Sequence, residues 1–359
     1  MGRERRAVTI YEVARRAGVS IATVSRALRG SPLVAAPTRQ RVLEVAGELR
    51  FRPSRAGRAL AEGQHAANGI VFPDLSGPYY AEVVLGYEEV VAELGRSVLI
   101  LTTHGRDGAT ERVLELSGRV DGMVIMGRTV GDDVVAGIAD TGLPLVLLAR
   151  PPLVVVDGRP SPVSTVNSDN DGCAVILTEH LLGHGYRRLT FLGDPDESPD
   201  VAGRYAGFLT AIDGAAIDGT AIDGTEATGE LVRCAFDVDA GEAAAREVLG
   251  DPPRPDALVC ANDEVALGVL RAADALGIAV PGELAVTGWD DIMAAHYARL
   301  TTVRQPMREL GALAARWLDQ RITGAAPQVR HEVLRTEPVI RASCGCPGQD
   351  NTRRSTTRR

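Results

Sequence analysis

The chain has 359 residues, of which 45% are hydrophobic and 24% charged, enough for two or three domains of ordinary soluble composition. It contains no lysine, so a Walker-type phosphate loop and a Schiff-base lysine are both excluded. Its charge is divided unevenly: up to Gly63 thirteen arginines face five glutamates, a head of +8, which leaves −16 on the rest of a chain whose net charge is −8. A basic head on an acidic body is the footprint of nucleic-acid contact confined to one end.

Residues 8–30, VTIYEVARRAGVSIATVSRALRG, predict two short helices joined by a tight turn. Thr9 and Glu12 have the spacing of a capping box, and Ile10, Val13, Ala14 and Ala17 share one helical face. Gly18 stands where the chain must turn at positive φ, and Ser20 can cap the second helix, about residues 21–28. Val24 and Leu28 point inward, while Ile21, Ala22, Ser25, Arg26 and Arg29 point out. A helix-turn-helix of this kind lays its second helix in the major groove, where Arg26 can fork onto guanine O6 and N7. The same pattern also describes an ordinary helical hairpin with a solvated polar face.

Residues 36–49 predict a third helix, with Val42, Val45, Ala46 and Leu49 inward. Ala35 and Ala36 offer it no capping oxygen, but Pro37 presets φ in its first turn. Residues 52–63, RPSRAGRALAEG, predict a short helix opened by Pro53 and Ser54 and closed by Gly63, marginal in water on its own. A plain linker is the alternative.

The wording VTIYEVARRAGVS, ATVSRAL, TRQRVLEVAGELRFRPS and RAL closely resembles the DNA-binding headpiece of the lactose-repressor (LacI/GalR) family. The resemblance implies that Ile21, Ala22 and Arg26 read bases, with Thr9, Ser20, Ser25 and Arg29 also on the DNA. It further implies a hinge helix that orders on the minor groove through Ser54, Arg55, Arg58 and a wedging Leu60. The family usually has alanine where this chain has Gly57, and serine near the start of the third helix.

From Asn68 onward, apolar runs (GIVF, SVLILTT, GMVIMG, PLVLLA, RRLTFLG, ALVCAN, LAVTGW) alternate with helical patterns near residues 80–94, 170–182, 240–249, 264–276 and 307–322. Such alternation predicts an α/β body of parallel sheets with helices on both faces, here in two lobes. The wording PDLSGPYYAEVVLGYEE, RVDGMVIM, HGYRRLTFLGD, CANDEVALGVLRAADALGIAVPGELAVTGWDDI and LTTVRQPMRELG resembles the type I periplasmic-binding-protein body of the same family. The expected organisation is a headpiece over 1–51, a hinge over 52–65, an effector-binding and dimerising body over 66–343 and a disordered tail over 344–359.

Residues 211–225 repeat AIDGA, AIDGT, AIDGT, a period far too short for a solenoid. They read as an expanded surface loop; an Asp-rich calcium loop is the alternative, without EF-hand spacing. The five cysteines are odd in number and scattered, which suits a reducing cytoplasm. Cys344-Gly345-Cys346 has the form of a metal or redox pair but reads as incidental in a tail. His180 and His184 are four apart on a predicted helix with no third ligand near in sequence, so no metal is expected. No signal peptide, membrane span or leucine heptad is legible.

Ligands of doubly wound lobes bind at the C-terminal ends of strands. Arg150, Asn262 and Asp290 follow such strands, and Arg204 opens the RYAGF helix. The resemblance points to Arg204, Asn262 and Asp290 as effector contacts, with Tyr79, Phe236 and Gln305 lining the pocket. Carboxylate, amide, guanidinium and aromatic groups together suit a polyol such as a sugar. The chain departs from the family at Ala149, where Asp is common before Arg, and at Gly77, where Asn is common before the proline. The expected protein is a homodimeric regulator, a repressor, on a pseudo-palindromic operator, with no cofactor and no catalytic residue. A stand-alone receptor would need an export signal and no headpiece. A Rossmann-like enzyme would need a glycine fingerprint, and GIVFPDLSGP has none.

Overall fold

The computed structural model describes residues 8–28, 30–51, 65–103, 107–153, 163–217, 226–326 and 328–346. They form two compact units divided between His65 and Ala66. The first unit has three helices, α1 (Ile10–Ala17), α2 (Ile21–Leu28) and α3 (Ala36–Glu48). Its core is Val13, Ala14, Ala17, Val24, Ala27, Val34, Val42 and Ala46, with Ile10, Leu28, Val45 and Leu49 half-buried around it. Ala27 is the inward residue that the helical reading passed over.

Gly18 ends α1 at φ +63°, its amide returning to the carbonyls of Ala14 and Arg15. Ser20 caps α2, accepting from the Thr23 amide at 3.1 Å. The Thr9 capping box does not form. Thr9 has the extended backbone of a cap, but the Glu12 amide donates to its main-chain carbonyl at 3.0 Å and leaves the hydroxyl unused there. Helix α3 starts without a side-chain cap, as Ala35 implies, and Arg39 instead ties the preceding turn by donating to the carbonyls of Ser31 and Val34.

The second unit is two α/β lobes. The first holds β1 (Ala67–Phe72), α4 (Pro78–Glu93), β2 (Ser97–Thr102), α5 (Ala109–Ser117), β3 (Gly122–Met126), α6 (Asp132–Asp140), β4 (Leu145–Leu148) and β5 (Ser164–Ser168). The chain then builds the second with α7 (Asp171–Gly183), β6 (Arg188–Leu192), α8 (Pro199–Ile217), β7 (Thr228–Val232), α9 (Val238–Gly250), β8 (Ala257–Cys260), α10 (Asp263–Leu276), β9 (Ala285–Thr287) and α11 (Met293–Tyr297). Strand β10 (Thr302–Arg304) leads back to α12 (Met307–Ile322) and β11 (His331–Leu334) in the first lobe. Strand β12 (Glu337–Val339) then returns to pair antiparallel with β10, before a single 3-10 turn over Ala342–Cys344. Three segments therefore cross between the lobes. The sheets run β11-β5-β4-β3-β1-β2 and β7-β6-β8-β9, with every pair parallel.

Central strands β1, β3, β4 and β8 are buried at every residue, because helices cover both faces, and so they read as apolar runs. Strand β5 escapes that signal. Its Ser164 and Thr165 are buried but polar, bonded to the Arg330 amide and the His331 ring beside edge strand β11. Helices α4 and α12 cross where both carry glycine: a Cβ on Gly86 would lie 2.0 Å from the Arg308 carbonyl oxygen, and one on Gly311 2.0 Å from that of Val83. Gly311→Ala is therefore expected to cost about 1–3 kcal/mol, as overpacked cores do. A denaturation midpoint for the body equal to that of the parent would contradict this crossing.

Two expectations are corrected here. The first AIDG copy is not a surface loop: α8 runs on to Ile217, and Ala211 and Ile212 are buried in the second lobe's core. The glycine at 214 is carried because the inward apolar pair anchors that helical turn. Residues 218–225 lie outside the described residues. Nor does the packed body stop at 343, since Cys344 is completely buried and packs with Phe191 and Phe208 in the same core. Residues 347–359 and 52–64, which include the expected hinge, lie outside the described residues.

Candidate functional site

In the first unit, Ile21, Ala22 and Arg26 are exposed along one side of α2, and Ser25 is half-buried beside them. Thr9 is exposed at the start of α1, and Ser20 is committed to its cap. Ala22 and Ser25 put only small side chains on this face, and Arg26 stands exposed beside them. Arg29, Ser54, Arg55, Gly57, Arg58 and Leu60 lie outside the described residues.

In the second unit, the ends of β5, β8 and β9 and the first turns of α4 and α8 bring one polar cluster together. Asn262 ends β8 and caps α10, accepting from the Val265 amide at 2.8 Å, while its own amide donates to the Phe236 carbonyl. Arg204, in the second turn of α8, donates to Asn170 Oδ1 at 2.9 Å and to the Ala261 carbonyl at 2.6 Å. Its guanidinium lies 4.7 Å from the centre of the Trp289 ring. Asn170 in turn donates to Asp200 at 3.0 Å. Asp290 accepts from Gln305 Nε2 at 2.6 Å.

Asp290 is held at φ +114°, a backbone that costs an L residue about 1–3 kcal/mol unless its surroundings impose it. Asp263 supplies much of that constraint. It is completely buried at the start of α10 and accepts from the Ile292 amide at 2.9 Å and the Thr302 hydroxyl at 2.6 Å. Its own amide donates to the Trp289 carbonyl.

Burial dominates the electrostatics. It pushes the Asp290 carboxyl up to about 7; Arg204 and Gln305 oppose the rise, and Glu264 and Asp200 add to it. Asp263 rises to about 8 through burial and then through the charge of Asp290. Asp200 is raised by burial against the pull of Arg204 and Asn170. Burial, then Asp200 and Asp290, also keep the Tyr79 phenol well above its ordinary value. The Tyr79 hydroxyl, Trp289 Nε1 and Gln305 Oε1 are buried with no protein partner among the described residues. Each such orphan costs about 1–3 kcal/mol unless something meets it. A cavity of about 780 Å³ borders this cluster; it shares only Asp290 and Gln305 with it and is otherwise lined by residues such as Pro78, Met293 and Tyr297.

Arg150 does not join the cluster. Its guanidinium donates to the carbonyls of Gly127 and Val130 and pairs with Asp132, all in the first lobe. Asn170, Asp200, Asp263 and Trp289 are site residues that the sequence reading passed over. Asn170 stood two residues past a strand too polar to be noticed, and the other three carry no spacing signal. His180 and His184 were expected to lack a third ligand, yet Cys344 and Cys346 lie beside them.

Two family models match the chain: bacterial regulatory proteins of the lacI family over residues 9–54, and the periplasmic binding protein-like domain over residues 178–344. The HTH-type transcriptional regulator CelR of Thermobifida fusca is 33% identical over 350 residues, 94% of this chain and 99% of CelR. The chain belongs to the LacI family. Among solved structures, the lac repressor dimer bound to operator and the anti-inducer ONPF matches with a TM-score of 0.78 at 26% identity, covering 94% of this chain and 99% of that one. A CelR–cellobiose complex matches with a TM-score of 0.67 at 30% identity, covering 94% and 99%.

The protein is accordingly a DNA-binding transcriptional regulator of the LacI family controlled by a small metabolite. No helix among the described residues is long and apolar enough to cross a membrane. Its departure from the family at Gly77 has a structural counterpart. Gly77 sits at φ +84°, and a Cβ there would lie 2.6 Å from Glu264 Oε2, so a carboxylate stands directly beside this glycine. Burial raises Glu264, with Asp237 and Asp74 adding to the shift.

Proposed function

We propose that this regulator is a cytoplasmic repressor that binds a pseudo-palindromic operator as a homodimer and responds to a sugar held at the cluster around Asp290. The observation that carries the sugar reading is the cluster itself. An acceptor on Asp290, donors on Asn262, Arg204 and Tyr79, and unpartnered polar atoms on Trp289 and Gln305 meet at one set of strand ends. Paired donors and acceptors beside an aromatic face suit the hydroxyls and the apolar face of a pyranose. The CelR–cellobiose complex and the operator-bound lac repressor dimer support the same ligand and partner classes. Ile21, Ala22 and Arg26 are the base-reading residues, and ligand-dependent movement of the two lobes alters operator affinity.

Glu264 beside Gly77 makes the pocket more acidic than an asparagine would. The expected ligand is therefore neutral or cationic and rich in donors, not a sugar phosphate. A thermal-shift panel of neutral sugars, amino sugars, sugar phosphates and nucleosides tests this, since a ligand at a hundred times its Kd stabilises by about 2.7 kcal/mol. A shift from a neutral or amino sugar is the expected result. Stabilisation by sugar phosphates or nucleosides alone would overturn the assignment.

The pH response follows from Asp290. An ionised carboxylate accepts from two hydroxyls, and its free-state value is about 7. Ligand affinity should therefore rise with pH up to about 7 and level off above, falling about tenfold per unit well below it. Affinity that is flat between pH 5 and 8 would contradict binding through the ionised form.

A further inference from the structure

We propose that His180, His184, Cys344 and Cys346 form a zinc site that clamps the end of the packed chain to α7. His180 and His184 are one turn apart on the same face of that helix, their rings edge to face at 4.8 Å. The 3-10 turn ends at Cys344, and Gly345, at φ +91°, reverses the chain so that Cys346 comes back beside it. His180 Nε2 lies 3.4 Å from Cys344 Sγ and 3.6 Å from Cys346 Sγ. His184 Nε2 lies 3.1 Å from Cys346 Sγ. The ligand atoms of His180, Cys344 and Cys346 all fall within 4.8 Å of one another. Zn–S bonds of about 2.3 Å and Zn–N bonds of about 2.0–2.1 Å at tetrahedral angles put nitrogen and sulfur about 3.5 Å apart. The observed spacings bracket that value; His184 meets the set at Cys346, and a rotation of its exposed ring makes it the fourth ligand.

The surroundings are those of a held site. The Thr301 hydroxyl donates to Cys344 Sγ at 3.1 Å, the outer support that orients a thiolate ligand. The Tyr186 hydroxyl donates to the Cys344 carbonyl at 3.2 Å, and a side chain at 345 would strike that hydroxyl. Ser343 fixes the turn, donating to the Val286 carbonyl and accepting from the Thr301 amide. Cys344 is buried, whereas His184 is exposed, so a metal has an entry path. Two thiolates and two imidazoles select a soft or borderline ion such as Zn²⁺ over Mg²⁺ or Ca²⁺. Four protein ligands leave no open position, which makes the ion a structural clamp and not a reaction centre. It joins segments some 160 residues apart in the chain, at the base of the lobe that carries Arg204, Asn262 and Asp290.

The test uses the full-length, untagged protein, stripped of metal under reductant and titrated with Co²⁺ as a spectroscopic stand-in. One Co²⁺ per chain, with tetrahedral visible bands and thiolate-to-cobalt charge transfer that stoichiometric Zn²⁺ bleaches, is the expected result. Cys346→Ser and His184→Ala, both at the accessible rim, should each weaken binding at least about tenfold while the far-UV spectrum and operator binding persist. An octahedral cobalt spectrum without charge transfer, or unchanged binding in either variant, would overturn the site. So would a Cys344–Cys346 disulfide in unreduced protein combined with no Co²⁺ uptake by the reduced chain.

Discussion

Asp290→Ala should leave operator binding intact and abolish the metabolite response. Asp290 stands past β9 with one oxygen on Gln305, and it is the carboxyl group of the cluster that borders the cavity. A hydrogen bond to a charged group contributes about 1.5–3 kcal/mol, so losing two lowers ligand affinity about a hundredfold or more. The headpiece is a separate compact unit with its own core, so its DNA-reading surface is untouched. A variant that still responds at the parent's ligand concentration would remove Asp290 from the site. Stability carries a second signature. The folded carboxyl holds its proton up to about 7, against 3.8 for the free side chain. Its contribution therefore falls as pH rises through that interval and is level above it. The variant loses this part of the pH dependence.

Arg26→Ala should cost about 1–3 kcal/mol per half-site. Two half-sites in a dimer make the loss about thirtyfold to twenty-thousandfold on the operator. The motivation is its exposure on α2, between the turn capped by Ser20 and the core residue Ala27. On random DNA the loss should be far smaller, because a base-edge contact there has no fixed partner. Both affinities must be taken at one salt concentration, since phosphate contacts weaken steeply with salt. Equal losses on the two DNAs would mean that Arg26 meets phosphate and reads no base.

The fold was legible where burial imposes composition. Strands covered on both faces must be apolar, so β1, β3, β4, β6, β8 and β9 announced themselves. Strands β7 (TGELV) and β11 (HEVL) are short edge strands of mixed composition, unlike the apolar edge strand β2 (SVLILT), and β5 satisfies its buried polar groups through neighbours remote in sequence; β5, β7 and β11 leave no periodic trace. The site was legible where a polar residue follows an apolar strand, as with Asn262 and Asp290. Arg150 follows an apolar strand in the same way, but its guanidinium is committed to Gly127, Val130 and Asp132 of the first lobe, partners that no spacing rule connects to it. The Cys344 and Cys346 pair reads as tail because its burial depends on contacts from Ser343 and Arg341 to Val286 of β9 and to Leu300 and Thr301, between 41 and 57 residues earlier. The first AIDG copy has the glycine of a loop, yet its apolar pair at 211 and 212 is enough to keep the helix docked.

The most direct test of a metabolite-controlled operator-binding protein is the affinity of the purified chain for an operator selected from a random-sequence pool, measured with and without a saturating sugar found by thermal shift. The sugar should change operator affinity by a definite factor, and saturating operator should change sugar affinity by the same factor, because the coupling is reciprocal. Operator affinity that is identical with and without a sugar bound at Asp290 would contradict the account.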